Sequence, residues 1–297
     1  MTARPLSPAL RTLALIATLG TLPAAQAHMT WILPNASHLD GKEATVSVDA
    51  AVSEDLFHFD RALKLDTLVI TGPDGQPREA ENLSAARHRS SFDLKLVQDG
   101  TYRLSHVSRG LMGSWKQGSE TKRFRGTAES FAKEVPAQAE ILSLTATHTR
   151  HQTFVSKEQT GPLRFQPEGQ GLEVLPLGPV TDLSAGDTTR LQLLFNGQPL
   201  PGASLKLLRD GNRYRYKLGE QVLTSDAQGV VTLAWAEAGR YYLAISHGDR
   251  PPAPPAGATP STGPSAAPPA PAPGSAGTRD KPLQRASLAV TFEVLPR

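Results

Sequence analysis

Gly100-Thr101-Tyr102-Arg103-Leu104-Ser105-His106 and, later, Gly239-Arg240-Tyr241-Tyr242-Leu243-Ala244-Ile245-Ser246-His247 read alike. In each, a glycine-bearing turn launches an alternating strand whose Tyr and Leu point inward, as late strands do in immunoglobulin-like modules. Alternation of period two recurs at Val46/Val48, Phe92/Leu94/Leu96, Leu191/Leu193/Phe195 and Leu288/Val290/Phe292/Val294. Turn signals separate these runs, among them Pro73-Asp74-Gly75, Asp99-Gly100, Asn196-Gly197, Pro201-Gly202, Asp210-Gly211 and Gln228-Gly229. Many short half-buried strands with this punctuation predict an all-β chain. Because the Gly-x-Tyr-x-Leu element occurs twice, the reading is two immunoglobulin-like antiparallel β-sandwich domains in tandem, at 28–170 and 171–297. The boundary falls near Pro167-Glu168-Gly169-Gln170-Gly171.

Two segments depart from this pattern. Eleven of the 25 prolines lie between Pro251 and Pro282, in company with Ala, Gly and Ser, so a disordered loop is expected over 250–282. An alternating strand at 286–294 follows the loop and needs a partner. The loop is therefore a hairpin insertion inside the second domain, and deleting 252–280 is expected to leave folding nearly intact, since closure entropy varies slowly with loop length. The other departure is 111–140, where alternation breaks down. Lys122-Arg123-Phe124-Arg125 reads there as a solvated connection, and Ala128 to Val135 as two helical turns ahead of Pro136.

The chain opens with Arg4 and Arg11, an apolar run from Leu13 to Leu22 and then Ala25-Gln26-Ala27. That is the form of a signal peptide, 1–27, cut after a small-x-small site. Cutting there makes His28 the first residue of the mature protein. Its free α-amine and ring Nδ1 can close a chelate on one metal ion, two nitrogens of the kind Cu(II) and Ni(II) take in square arrangements. No later stretch has the roughly 20 apolar residues that a membrane-spanning helix needs. Removing the leader takes two of the 31 basic residues and no acid, leaving 29 against 28 acidic residues. A balance that even gives no basic tract for nucleic acid.

The chain has no cysteine, so any metal must be held by imidazole, carboxylate, backbone or water. All eight histidines lie in the mature part. His148 and His151 sit three apart in an alternating run, on opposite strand faces, and are set aside as a ligand pair. Asp49 ends a strand and precedes Glu54, Asp55, His58 and Asp60, interleaved with Leu56, Phe57 and Phe59. Carboxylates and an imidazole among apolar neighbours suit a rigid ligand cluster, and equally a loop pinned by its aromatics with its acids in solvent. His106 extends the inward face of Tyr102 and Leu104 and must find a partner, either a backbone carbonyl or a metal. The candidate metal residues are thus His28, Asp49, Asp55, His58 and His106. A nucleophile elbow and phosphate-cradling loops are missing from the sequence.

The stretches His28-Met29-Thr30-Trp31-Ile32-Leu33-Pro34, VSVDAAVSEDLFHFD at 46–60, TKRFRGTAESFAKEVP at 121–136, 172–202 and 227–243 resemble a bacterial family of exported proteins with a domain of unknown function. Members are commonly labelled as periplasmic components of nickel uptake. The family's A-H-x-x-W element maps onto Ala27, His28 and Trp31, and its acidic-aromatic element onto Asp49, Asp55, Phe57, Phe59 and Asp60. The resemblance implies a periplasmic β-rich protein that handles a divalent transition metal, nickel or copper. It also implies an outer-membrane TonB-dependent receptor or an inner-membrane transporter as partner. Two other readings stay open: a mono-copper polysaccharide oxygenase that begins with His, and a metal-free module that binds a receptor or glycan.

Overall fold

The computed structural model describes residues 28–161, 163–215, 219–249 and 276–297. The leader expected at 1–27 and most of the loop expected at 250–282 lie outside the described residues. The fold is all-β, and most of its strand pairs are antiparallel.

Among the described residues three sheets build it. The first orders the strands Met29–Pro34, Ala44–Ser53, Ser90–Leu96 and Glu81–Ala85. The second and largest runs Gln221–Thr224, Ser204–Arg209, Gly239–Gly248, Leu283–Leu295, Ile141–Lys157, Gly100–Gln117, Leu68–Thr71 and Pro77–Arg78. The third centres on Thr188–Phe195, paired with Leu172–Pro176 on one side and Val230–Ala234 on the other.

Both halves of the molecule contribute to the large sheet. Strand Leu283–Leu295 pairs antiparallel with Gly239–Gly248, Gly239 opposite Val294 and Gly248 opposite Arg285, so the Pro/Ala segment joins the two arms of a hairpin. Its other edge pairs in parallel with Ile141–Lys157, from Thr145 opposite Leu283 to Gln152 opposite Val290. An open strand edge is a row of unpaired N–H and C=O groups, and this pairing satisfies both edges at once. The tandem sandwiches are thereby fused through one continuous sheet.

The outer sheets cover opposite faces of it. Adjacent residues of Ile141–Lys157 show this: Val155 packs with Val46, Phe92, Leu94 and Leu104 of the first sandwich, while Phe154 packs with Leu172, Leu193, Trp235 and Phe292 of the second. Neighbouring residues of a strand point to opposite faces, so each half buries a different one. The repeated tyrosines make the same contact in both halves. Tyr102 donates its hydroxyl to the Gln98 carbonyl at 2.9 Å, and Tyr241 to the Glu237 carbonyl at 2.7 Å. Each bonds four residues upstream, the corner that immunoglobulin-like sandwiches use to brace a late strand.

Two expectations are corrected. The basic segment at 122–125 is not a connection but part of strand Glu120–Gly126, which folds back on Gly100–Gln117 through a turn at Gly118. Residues 110–114 of the longer strand are half-buried on both faces, so no alternating face exists for the sequence to display. Helix Ala128–Glu134 does form, with Thr127 and Ser130 closing a capping box, and Phe131 packs with Trp115, Phe124 and Leu144. The second correction concerns the end of the Pro/Ala segment. Ala276 is buried and its carbonyl accepts from Leu144 N, and Arg279 lies over the Phe131 ring.

Candidate metal centre

Strand Met29–Pro34 carries His28 at its head. It pairs with Ala44–Ser53, Met29 opposite Ser53 and Pro34 opposite Val48. Its anchor is Trp31, fully buried, donating from Nε1 to Ser53 Oγ at 3.0 Å. Trp31 and Leu33 pack on Leu208, Tyr242 and Ala289 of the large sheet, which fixes the head of the strand over that sheet. His28 itself is exposed.

A cleft of about 780 Å³ opens there. Its wall is His28, Met29 and Thr30, and its floor is one face of the shared sheet. The register explains the floor: His106 is opposite His151, His151 opposite Ala289, and Ala289 opposite Ala244, a row crossing four strands. Small residues along this row, with Ser108, Thr149, Ser287 and Ser246 beside it, keep the space open.

The two floor histidines stack, ring centroids 5.8 Å apart and 15° from parallel. They are 6% and 8% exposed, and Nδ1 of each is buried with no hydrogen-bond partner. Burial, and then the neighbouring His106, push His151 down to about 3. Burial also lowers His106, opposed by the Asp66 carboxylate and by a hydrogen bond from the ring to the Lys64 backbone carbonyl. Both rings are therefore neutral at neutral pH. A neutral imidazole is the form that binds a metal. Of the other charged groups lining the cleft, the Glu220 carboxylate is 3.0 Å from Lys206 Nζ, and Arg125 adds a second cation. Burial pushes the Tyr242 hydroxyl up to about 12, against a hydrogen bond from the backbone N–H of Thr30.

The other sequence candidates lie elsewhere. Asp49 is 3.6 Å from Arg89 Nη1 and lines a separate surface hollow with Ser47, Asn82 and Asp93. Asp55 and His58 share Arg213, at 3.8 Å from Asp55 Oδ2 and 3.2 Å from His58 Nδ1. A guanidinium between them opposes a second cation. Asp60 accepts from Glu54 N at 2.8 Å, and Phe57 and Phe59 set their ring edges on Trp31 at 5.5 and 5.4 Å. The acidic-aromatic run is thus a loop pinned to Trp31. Of the five candidates, only His28 and His106 share a cleft. Among the described residues, no three His, Asp or Glu side chains stand close enough together to hold an ion.

His148 and His151 do face opposite ways. His148 lines a different cavity with Arg109, Gln170 and Gly171. His151 instead faces His106 across the neighbouring strand. Its signal was its cross-strand position opposite His106, which needs the register of two strands 45 positions apart.

Sandwiches fused on a shared sheet, with a histidine-bearing cleft between them, define a two-module β protein. The chain belongs to the DUF4198 family: the model described as "Domain of unknown function (DUF4198)" matches residues 25–249. No curated protein matches. Among solved structures, the D0-D1 domain of intimin is similar at 13% identity, covering 73% of this chain and 90% of that one, with a TM-score of 0.18. An Escherichia coli alpha-2-macroglobulin activated by porcine elastase is similar at 14% identity, covering 91% and 20%, with a TM-score of 0.21. A marsupial T cell receptor is similar at 11% identity, covering 91% and 74%, with a TM-score of 0.18. Overlaps this loose carry no weight for fold or function.

Proposed function

We propose that this is an exported periplasmic protein that binds a divalent transition metal of the nickel or copper class and serves its uptake. His28, once exposed by leader removal, is its principal ligand through the α-amine and ring. The observation that carries this reading is that His28 opens onto the same cleft as the buried, unpaired imidazole of His106. The donors fit such an ion, since neutral nitrogen ligands suit copper and nickel and no thiolate is available. A chelate at a chain end, on an exposed wall, suits an ion that must be passed on to a TonB-dependent receptor or an inner-membrane transporter.

Calorimetric titration of the mature protein with Cu(II), Ni(II), Co(II) and Zn(II) tests it, beside His28→Ala and a form with one extra N-terminal Ala. Loss of tight binding in both variants is the expected result. Binding unchanged in both overturns the chelate, and no binding by any ion leaves a metal-free interaction module as the reading.

A further inference from the structure

A second cavity, of about 340 Å³, lies around His148 and shares no histidine with the His28 cleft. Strand register builds one side of it. Arg109 and Ala286 stand opposite His148 on its two neighbouring strands, and Arg285 precedes Ala286. The second module closes the other side, where the Gly171 N–H donates to Asn196 Oδ1 at 2.9 Å and the Asn196 N–H to the Gly171 carbonyl at 2.9 Å. Gly171, at φ +65°, leaves the His148 ring the space that a Cβ would take.

The lining is rich in unspent donors. The nearby Glu168 carboxylate is taken by Arg150 and Arg103, and among the described residues Arg109 and Arg285 form no ion pair. Arg109 Nη2 donates instead to Gln170 Oε1 at 2.8 Å. The amide oxygens of Gln170 and Asn196 are thereby both occupied, which leaves their NH2 groups to offer a ligand. His148 has both ring nitrogens buried without a partner, an arrangement that costs free energy until a ligand meets it. Burial first, then Arg150 and Arg109, hold this imidazole below its usual range, against Glu168. The rest of the wall is apolar, with Phe195, Leu111 and alanines.

We propose that this cavity binds a small organic anion, a carboxylate or phosphate group on a compact apolar body, with Arg109 and Arg285 holding its charge. The guanidinium fork matches either headgroup. Two guanidiniums with no carboxylate in the wall oppose a metal ion at His148. The volume selects an organic ligand over a bare ion, since a water takes about 30 Å³ and pockets for small organic molecules begin near roughly 300 Å³. The proposal goes beyond the metal reading and does not depend on it.

The test titrates mature protein at low salt with benzoate, phenyl phosphate, inorganic phosphate and uncharged benzyl alcohol. Affinity is read by calorimetry and the His148 ring by 15N NMR. Benzoate or phenyl phosphate is expected to bind and to move the His148 signals, and the tighter of the two assigns the headgroup. Arg109→Gln and Arg285→Gln are each expected to weaken that binding about tenfold, the scale of one charge-assisted hydrogen bond. A bound anion favours imidazolium, so the pH at which His148 titrates should rise on saturation, above the value set by Arg109, Arg150, Arg285 and Glu168 around it. His148 signals unmoved by either anion at about millimolar concentration would overturn the proposal. So would benzyl alcohol binding as tightly as benzoate, affinity unchanged in both arginine variants, or inorganic phosphate binding as tightly as phenyl phosphate.

Discussion

His106 and His151 face each other across adjacent antiparallel strands with their rings 5.8 Å apart, while Arg150, beside His151, points to the other side of the sheet and is 1% exposed. Its two terminal nitrogens each donate to the Glu168 carboxylate at 2.8 Å. One strand thus presents neutral imidazole to the cleft and a paired guanidinium to the seam of the two modules.

The Arg150 pair sets a pH signature. Arg150 first, against burial, then Arg103 and Arg109 hold the Glu168 carboxyl below the usual carboxylate range. A depressed folded value means the stabilisation is present above the unfolded value of about 4.3 and fades as pH falls through the lower folded one. Glu168→Gln is expected to cost about 2 kcal/mol at pH 7, less than a fully buried pair because Glu168 is partly exposed and Glu173 stays near Arg150. Urea melts of the two proteins should begin to converge as pH falls below the unfolded value and should meet only below the lower folded one.

The tyrosine corners both contribute. Tyr241→Phe removes one hydroxyl contact, to the Glu237 carbonyl, and is expected to cost about 1 kcal/mol, while Tyr102→Phe removes two, to the Gln98 carbonyl and from Gln98 N, and is expected to cost more. Chemical denaturation measures both, and a loss confined to one would mean that only one half uses the brace.

Loop shortening has a boundary. Removing 252–274 is expected to leave the melting temperature nearly unchanged. Extending the deletion through 280 removes the Ala276 carbonyl from Leu144 and Arg279 from Phe131 and the Pro136 carbonyl, and is expected to lower it. Differential scanning calorimetry of the two deletions distinguishes them.

Trp31 joins fold to site. Trp31→Ala is expected to cost about 3–5 kcal/mol, since it empties a fully buried position beneath Phe57 and Phe59. It also frees the strand that carries His28, so metal affinity should fall with stability while Phe59→Ala, at a half-exposed ring, should leave affinity nearly unchanged. Parallel melts and Cu(II) titrations check both.

Much of the fold was legible because strands buried on one face write their alternation into the sequence, as Val46/Val48 and Leu191/Leu193 do. The paired Gly-x-Tyr-x-Leu elements also marked the two corner tyrosines. The shared sheet was not legible, since parallel pairing of 145–152 with 283–290 leaves no local signature. Nor was the 111–126 hairpin, where strand Glu120–Gly126 is mostly exposed and residues 110–114 of its partner are half-buried on both faces. In the candidate site, His28 and His106 were readable from a cleavage pattern and a strand face. Asp49, Asp55 and His58 were drawn in by their proximity in sequence, yet each lies by an arginine away from the cleft. His151 needed the register, which sequence alone does not supply.

The most direct measurement is X-ray absorption at the copper edge of mature protein loaded with one equivalent of Cu(II). The expected result is a first shell of nitrogen with the outer scattering of imidazole, reduced when His28 is replaced. A shell of oxygen alone, or copper that washes off the mature protein, would contradict a metal role for this cleft.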